Sequence, residues 1–297
     1  MNISKRILFA SLTVSALFAI GAASAADLPV KAPPAAAAVA NWTGFYLGVN
    51  GGGSIGVDST TQATSFTSTL LGTNGLLNSS NRLASTGGVF GGQVGYNWQT
   101  SPLVVLGVEA DWQWTSQSAT ATNSTPPASL GFFGAGGNGF GYSLATEQKV
   151  TDIGTARVRG GILLHDTLLY ATGGLAWGTV KDSYTFTGSA NPTVFPGVLQ
   201  PGPFLPSAAS FSNTRTGGTA GAGIETKLGG GWSAKLEYLY VDLGTVNHVL
   251  PIAINPAFGP GFINGGTASA ATSFHVIDNI VRVGVNYQFG STVVAKY

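Results

Sequence analysis

Apolar and polar side chains alternate one for one in eight separated stretches of this chain, the period of an extended strand whose successive side chains point to opposite faces. The last stretch, NIVRVGVNYQFG at 279–290, sets Val281, Val283, Val285, Tyr287 and Phe289 against Ile280, Arg282, Gly284, Asn286 and Gln288. Residues 42–53 set Phe45, Leu47 and Val49 against Tyr46, Gly48 and Asn50. In 88–98, Phe90, Val94, Tyr96 and Trp98 oppose Gln93 and Asn97. After a short turn at 99–102, residues 103–114 place Val104, Leu106, Val108, Ala110, Trp112 and Trp114 opposite Glu109, Asp111 and Gln113. Two further hairpins follow, 152–164 with 168–180 through 165–167, and 216–228 with 232–243 through 229–231. Tight turns between such runs are hairpin signals.

The remaining connections, 54–87, 115–151, 181–215 and 244–275, each run to about thirty residues rich in Ser, Thr, Asn, Gly and Pro. They read as irregular loops, which a compact soluble domain does not tolerate at that length. Short turns alternating with long loops and an even strand number predict an all-β fold: an eight-stranded antiparallel transmembrane up-and-down β-barrel with short periplasmic turns and long extracellular loops.

Charge decides which face meets lipid. Glu109, Asp111, Arg157, Arg159, Glu225, Lys227, Lys235, Glu237 and Arg282 all occupy the face opposite the apolar one. That face must look inward. The apolar face carries Trp42, Phe45, Trp98, Trp112, Trp114, Trp177, Trp232, Tyr238, Tyr240, Tyr287 and Phe289, expected as aromatic girdles at the two membrane interfaces.

Composition agrees. Only 8% of residues are charged and 44 are Gly, against about 25% charged in ordinary soluble domains. No Cys is present, which removes disulfides and thiolate metal sites. Residues 1–25 join a basic start, Lys5 and Arg6, to an apolar run and Ala23-Ser24-Ala25, the pattern of a cleaved signal peptide. Residues 26–41 read as a Pro/Ala-rich periplasmic lead-in, and 42–297 as the barrel. Losing Lys5 and Arg6 from the 13 basic residues leaves 11 against 12 acidic, so nothing favours nucleic acid as a partner.

The lead NWTGFYLGVNGGG, the later LEYLYVDLG and the terminal IVRVGVNYQF together resemble the Gram-negative outer-membrane β-barrel family related to the OmpA membrane domain, notably its outer-membrane immunogenic and small porin-like group. The resemblance spans 42–289 and implies the cell outer membrane of a Gram-negative bacterium, reached after export to the periplasm. It also implies delivery by the barrel assembly machinery, which would read a C-terminal aromatic. Phe289 and Tyr297 are both candidates, since GSTVVAKY extends past the point where such barrels commonly end.

An eight-stranded barrel is just wide enough for side chains to fill, and buried charges must pair. The lumen is therefore expected to be a charge network that largely plugs it. The chain reads as a monomeric, surface-exposed structural barrel in contact with outer-membrane lipid, with no catalytic role, cofactor or metal assigned. A small passive porin is the first alternative. A ligand-binding barrel for haem or a metal, or a lipid-modifying one, is the second. It would rest on His248 and His275, which flank the last long connection and are expected to approach each other there, with Asp242, Ser273 or Asp278 nearby.

Overall fold

The computed structural model describes residues 41–68, 73–131, 139–190, 204–253, 255 and 267–290. The signal segment 1–25, nearly all of the 26–41 lead-in, and Tyr297 lie outside the described residues. The chain forms eight strands: β1 (Gly44–Ser68), β2 (Thr73–Gln99), β3 (Val104–Gly131), β4 (Gly139–Leu164), β5 (Thr167–Ala190), β6 (Ser207–Gly229), β7 (Trp232–Ile252) and β8 (Thr267–Gln288). Each pairs antiparallel with its sequence neighbours, and β1 pairs with β8, so the barrel closes. Closure leaves no open strand edge in hydrocarbon, where unpaired backbone groups are costly.

The tight turns lie close to where the pattern predicts them. His165 and Asp166 alone join β4 to β5, and His165 takes the left-handed conformation at φ 60° that so short a hairpin demands. Gly230 and Gly231, both at positive φ, join β6 to β7.

The long connections differ from expectation. Most of 54–87, 115–151, 181–215 and 244–275 continues as strand, so the strands run 21 to 28 residues. The alternation persists through these segments with its polarity reversed. Low on β5, Leu169 and Leu175 face outward, whereas higher up Tyr184 and Phe186 are buried inside and Ser183, Thr185 and Thr187 face out. On β7, Trp232, Leu236, Tyr238 and Tyr240 face out below, and Val246, Leu250 and Ile252 face in above. Serine and threonine suit a strand as well as a loop when only one face is wet.

The reversal marks where lipid ends. An outward apolar belt belongs in hydrocarbon, and from Trp232 to Tyr240 it climbs about 20 Å at roughly 2.6 Å per residue of tilted strand, close to the height of a barrel's apolar band. Above it stands a water-facing tower.

In the tower two of the eight strand interfaces come apart. Pairing of β2 with β3 stops at Thr86 with Ser118, and pairing of β6 with β7 stops at Gly218 with Asp242. The other six continue upward. The tower is thus two four-stranded sheets, β2-β1-β8-β7 and β3-β4-β5-β6. They face each other across a core of Tyr142, Leu144, Tyr184 and Phe186 from one and Leu250, Ile252, Ala270 and Phe274 from the other.

Candidate functional site: the charged lumen

Inside the apolar belt the inward positions carry ions. Arg157 on β4 spans three acids: Nη2 bonds Glu109 and, at 2.7 Å, Asp111, while Nη1 reaches Glu237 at 3.0 Å. Arg282 on β8 donates from Nε to Glu237 at 2.7 Å and from Nη2 to Asp111 at 3.0 Å. Lys235 on β7 reaches both Glu109 oxygens, at 3.0 and 3.1 Å. Arg159 pairs with Glu225 at 2.9 Å and donates from Nε to Asn97 at 2.9 Å. Four acids face four bases, so the cluster is neutral, and each of these residues is at most 6% exposed. Buried ions are tolerated when their remaining donors and acceptors are met.

Neutral side chains meet many of them. Tyr46 donates to Glu109 at 2.7 Å, Tyr170 to Glu237 at 3.0 Å, Thr155 to Asp111 at 2.8 Å and Asn286 to Glu225 at 2.7 Å. The Arg159 guanidinium lies 4.9 Å from the Tyr46 ring and 5.1 Å from that of Tyr170, held between two aromatic faces. Glycine makes those seats. A Cβ at Gly95 would overlap the Tyr46 hydroxyl, and one at Gly223 the Tyr170 hydroxyl. Gly223→Ala is expected to dislodge Tyr170 from Glu237 and cost about 1–3 kcal/mol, the usual penalty of overpacking. The urea midpoint of the refolded protein checks it, and an unchanged midpoint would show that Tyr170 moves freely.

Lys227 stands apart. It makes no ion pair with the four acids, bonding instead to the Gln288 side-chain oxygen, and its Nζ sits 4.6 Å from the Trp42 ring. Trp42 itself is a correction: it is 1% exposed, not in an interface girdle. It precedes β1, and Gly44 at φ 148° lets the chain swing inward, so the indole packs beneath the barrel with Val105, Leu163, Leu168 and Tyr170. Its amide donates to the Gln99 side chain at 3.0 Å. The other aromatics face outward in two rows, Phe45, Trp98, Trp232, Tyr287 and Phe289 toward the turn end, and Trp112, Trp114, Trp177, Tyr238 and Tyr240 higher up. Trp177 is half-buried because it lies over Gly154 of β4.

The two histidines do not approach each other. His248 points into the tower and bonds Asp182 at 3.1 Å, whereas His275 points outward and bonds Asp242 at 3.0 Å. Both sit on paired strands, where His248 faces Thr272 and His275 faces Thr245, three residues apart on β7 and so on opposite faces. Strand parity carried up from Tyr240 and Val281 puts both on the outward face; it is the register shift between Asp242 and Thr245 on β7 that turns His248 inward. Among the described residues no group of three or more His, Asp or Glu could hold a metal.

Above the ions the lumen stays filled. Val89, Ile153, Ala176, Leu239, Val241 and Ile280 form an inward apolar layer. Beside it Asp278 accepts from Ser54 and, at 2.8 Å, from Gln117. Sequence reading did not single out this layer. Its signal is the apolar residues that take over inward positions just above Arg282 and Glu237.

Comparison with known proteins agrees with the architecture. A 31 kDa outer-membrane immunogenic protein of Brucella melitensis is 33% identical over 96% of this chain and the whole of that one, and the Brucella suis protein matches equally. A 22 kDa outer membrane protein of Rhizobium leguminosarum is 28% identical over 80% of this chain and 85% of that one. The family model for the outer membrane protein beta-barrel domain matches residues 13–289. The chain belongs to that family, and its place is the outer membrane.

Proposed function

We propose that this protein is a structural, surface-exposed barrel of the outer membrane, non-catalytic and closed to ions, whose tower is the surface it offers to the outside. The observation that carries this reading is the neutral cluster of Glu109, Asp111, Glu225, Glu237, Arg157, Arg159, Lys235 and Arg282. Apolar layers stand on both sides of it, Trp42 and Leu168 below, Ile153 and Leu239 above. A pore needs a continuous wet path, and these layers interrupt one. The Brucella relative's name, immunogenic, suits a chain that carries much of its mass outside the bilayer.

The outward belt supports contact with lipid around the whole circumference, and its lack of charge suits a monomer. β8 ends on Gln288 with Phe289 beside it, ring centroids 5.9 Å from Phe45 and 5.1 Å from Tyr287. Phe289 is therefore the aromatic we assign to recognition by the assembly machinery.

Conductance of the refolded, signal-free protein in a planar bilayer tests the reading. Insertion without discrete current steps is expected. Stable steps that change when Arg157 and Glu109 are both made neutral would establish the alternative, a small passive porin lined by these charges.

A further inference from the structure

The backbone bonding of the tower leaves one side of β6 open. In an antiparallel ladder each residue turns both its N–H and its C=O to one side, and the next residue turns them to the other. Lys227 N donates to Asp166 O at 3.0 Å, and the register of β5 with β6 runs upward from there without a shift. The odd-numbered residues of β6 therefore bond to β5. Ala208, Ser210, Ser212, Thr214 and Thr216 turn their backbone groups the other way, toward β7.

The upper part of β7 does not meet them. Its pairing with β6 stops at Gly218 with Asp242. Just above, one extra residue on β7 shifts its register between Asp242 and Thr245, with Gly244 at φ 73°, and such insertions bend the strand that carries them. The two strands next join where Leu205 N donates to Ala253 O at 2.8 Å. Between these ties the inter-strand side of 208–216 has no backbone partner among the described residues, and Ala208, Ser210, Ser212, Thr214 and Thr216 are all exposed.

A sheet edge in water is ordinarily blunted by proline or charge, because unpaired backbone is a template for another strand. The other edges exposed by the two open seams carry such guards: Pro126 and Pro127 in β3, Pro251 in β7 and Arg82 in β2. From Ser207 to Thr214, β6 reads SAASFSNT, with no proline and no charge.

We propose that the β6 edge from Ala208 to Thr216 is a docking site for an extended peptide segment of a partner protein outside the cell, which joins the sheet as an added strand. The proposal rests on the tower standing outside the bilayer. In such additions the main chain supplies affinity and alternate side chains supply selectivity. One face of the added strand would lie beside Ser210, Ser212 and Thr214, which suits Ser or Thr. The other would lie beside Ala209, Phe211 and Asn213, half-buried on the inner side, which suits Val or another small apolar residue. A second copy in the same membrane does not fit. Both barrels would stand upright with strands tilted about 35–45° in the same sense, so two β6 strands on facing walls would cross at roughly 70–90° instead of lying side by side.

The probe is an amidated heptapeptide of alternating Thr and Val with a fluorophore at its N-terminus, titrated into the full mature chain in detergent and read by anisotropy. Binding is expected below about 1 mM, the weak end of specific affinity. An added strand offers β6 only one of its edges. N-methylation of one alternate set, the Thr or the Val residues, should therefore weaken binding at least about tenfold, and of the other set less than about twofold. Ser210→Pro combined with Ser212→Pro removes two donors from the open edge and spares the bonds to β5, and it should weaken binding at least about tenfold. Retained heat-modifiable mobility would show that this variant folds, and the methylated peptides need no variant. No binding, equal effects of the two methylations, or full binding by the folded proline variant would overturn the proposal. Concentration-dependent dimers abolished by the same two prolines would overturn it in favour of a second copy. Planar-bilayer conductance is indifferent to these outcomes, so the closed lumen and the docking edge stand or fall separately.

Discussion

Glu109→Ala should be the most damaging single substitution in the lumen, costing about 3–5 kcal/mol, because it strands several buried cations at once. Glu109 is bonded by Arg157 and Lys235, lies 3.7 Å from both Arg159 and Arg282, and accepts from Tyr46. No other acid among the described residues has so many partners. Removing it leaves three acids among four bases, all of them buried. The loss should appear as a lower urea midpoint and a smaller heat-modifiable fraction. Adding Lys235→Met should recover part of it, since the remaining charges again balance. A wild-type midpoint for Glu109→Ala would mean that the ions are separately hydrated rather than joined in one cluster.

The second large effect depends on height. Val283→Arg sets a cation on the outward face within the apolar belt, where such a residue costs about 2–4 kcal/mol near the bilayer midplane. Thr120→Arg makes the same change on the outward face of β3 within the tower, where surface substitutions usually fall within about 0.5 kcal/mol. Refolding into lipid vesicles and unfolding in urea should separate the two sharply. Equal penalties would mean that lipid reaches the tower, and equal tolerance that Val283 does not face lipid.

The lower half of this barrel was legible because its two faces differ so strongly. Arg282 between Val281 and Val283, or Glu109 between Val108 and Ala110, assigns inside and outside without any partner in view. Which ion meets which was not legible, because the match of Arg157 to Glu237 depends on a register running through β5 and β6. The tower was missed for a different reason. In 181–188 Tyr184 and Phe186 alternate with Ser183, Thr185 and Thr187 as regularly as any residues below, but the apolar face has turned inward. Serine, threonine and glycine were weighed as loop formers when they were the wet side of a strand. Trp42 was misplaced because aromatic content alone does not distinguish a girdle from a cap, and the bend at Gly44 lies outside any periodicity.

The long water-facing strands bear on how an antibody would see this molecule. Only alternate residues of a tower strand face outward, and strand neighbours stand about 4.8 Å apart. A footprint on the wall would therefore gather Ser183 and Thr185 with their outward partners on β4 and β6, such as Glu147 and Ser210, rather than any unbroken run of sequence. A synthetic peptide copied from β5 would show Tyr184 and Phe186, which the folded wall hides. Sera that recognise the intact wall should lose it on boiling, and immunisation with linear fragments should yield antibodies blind to the cell surface.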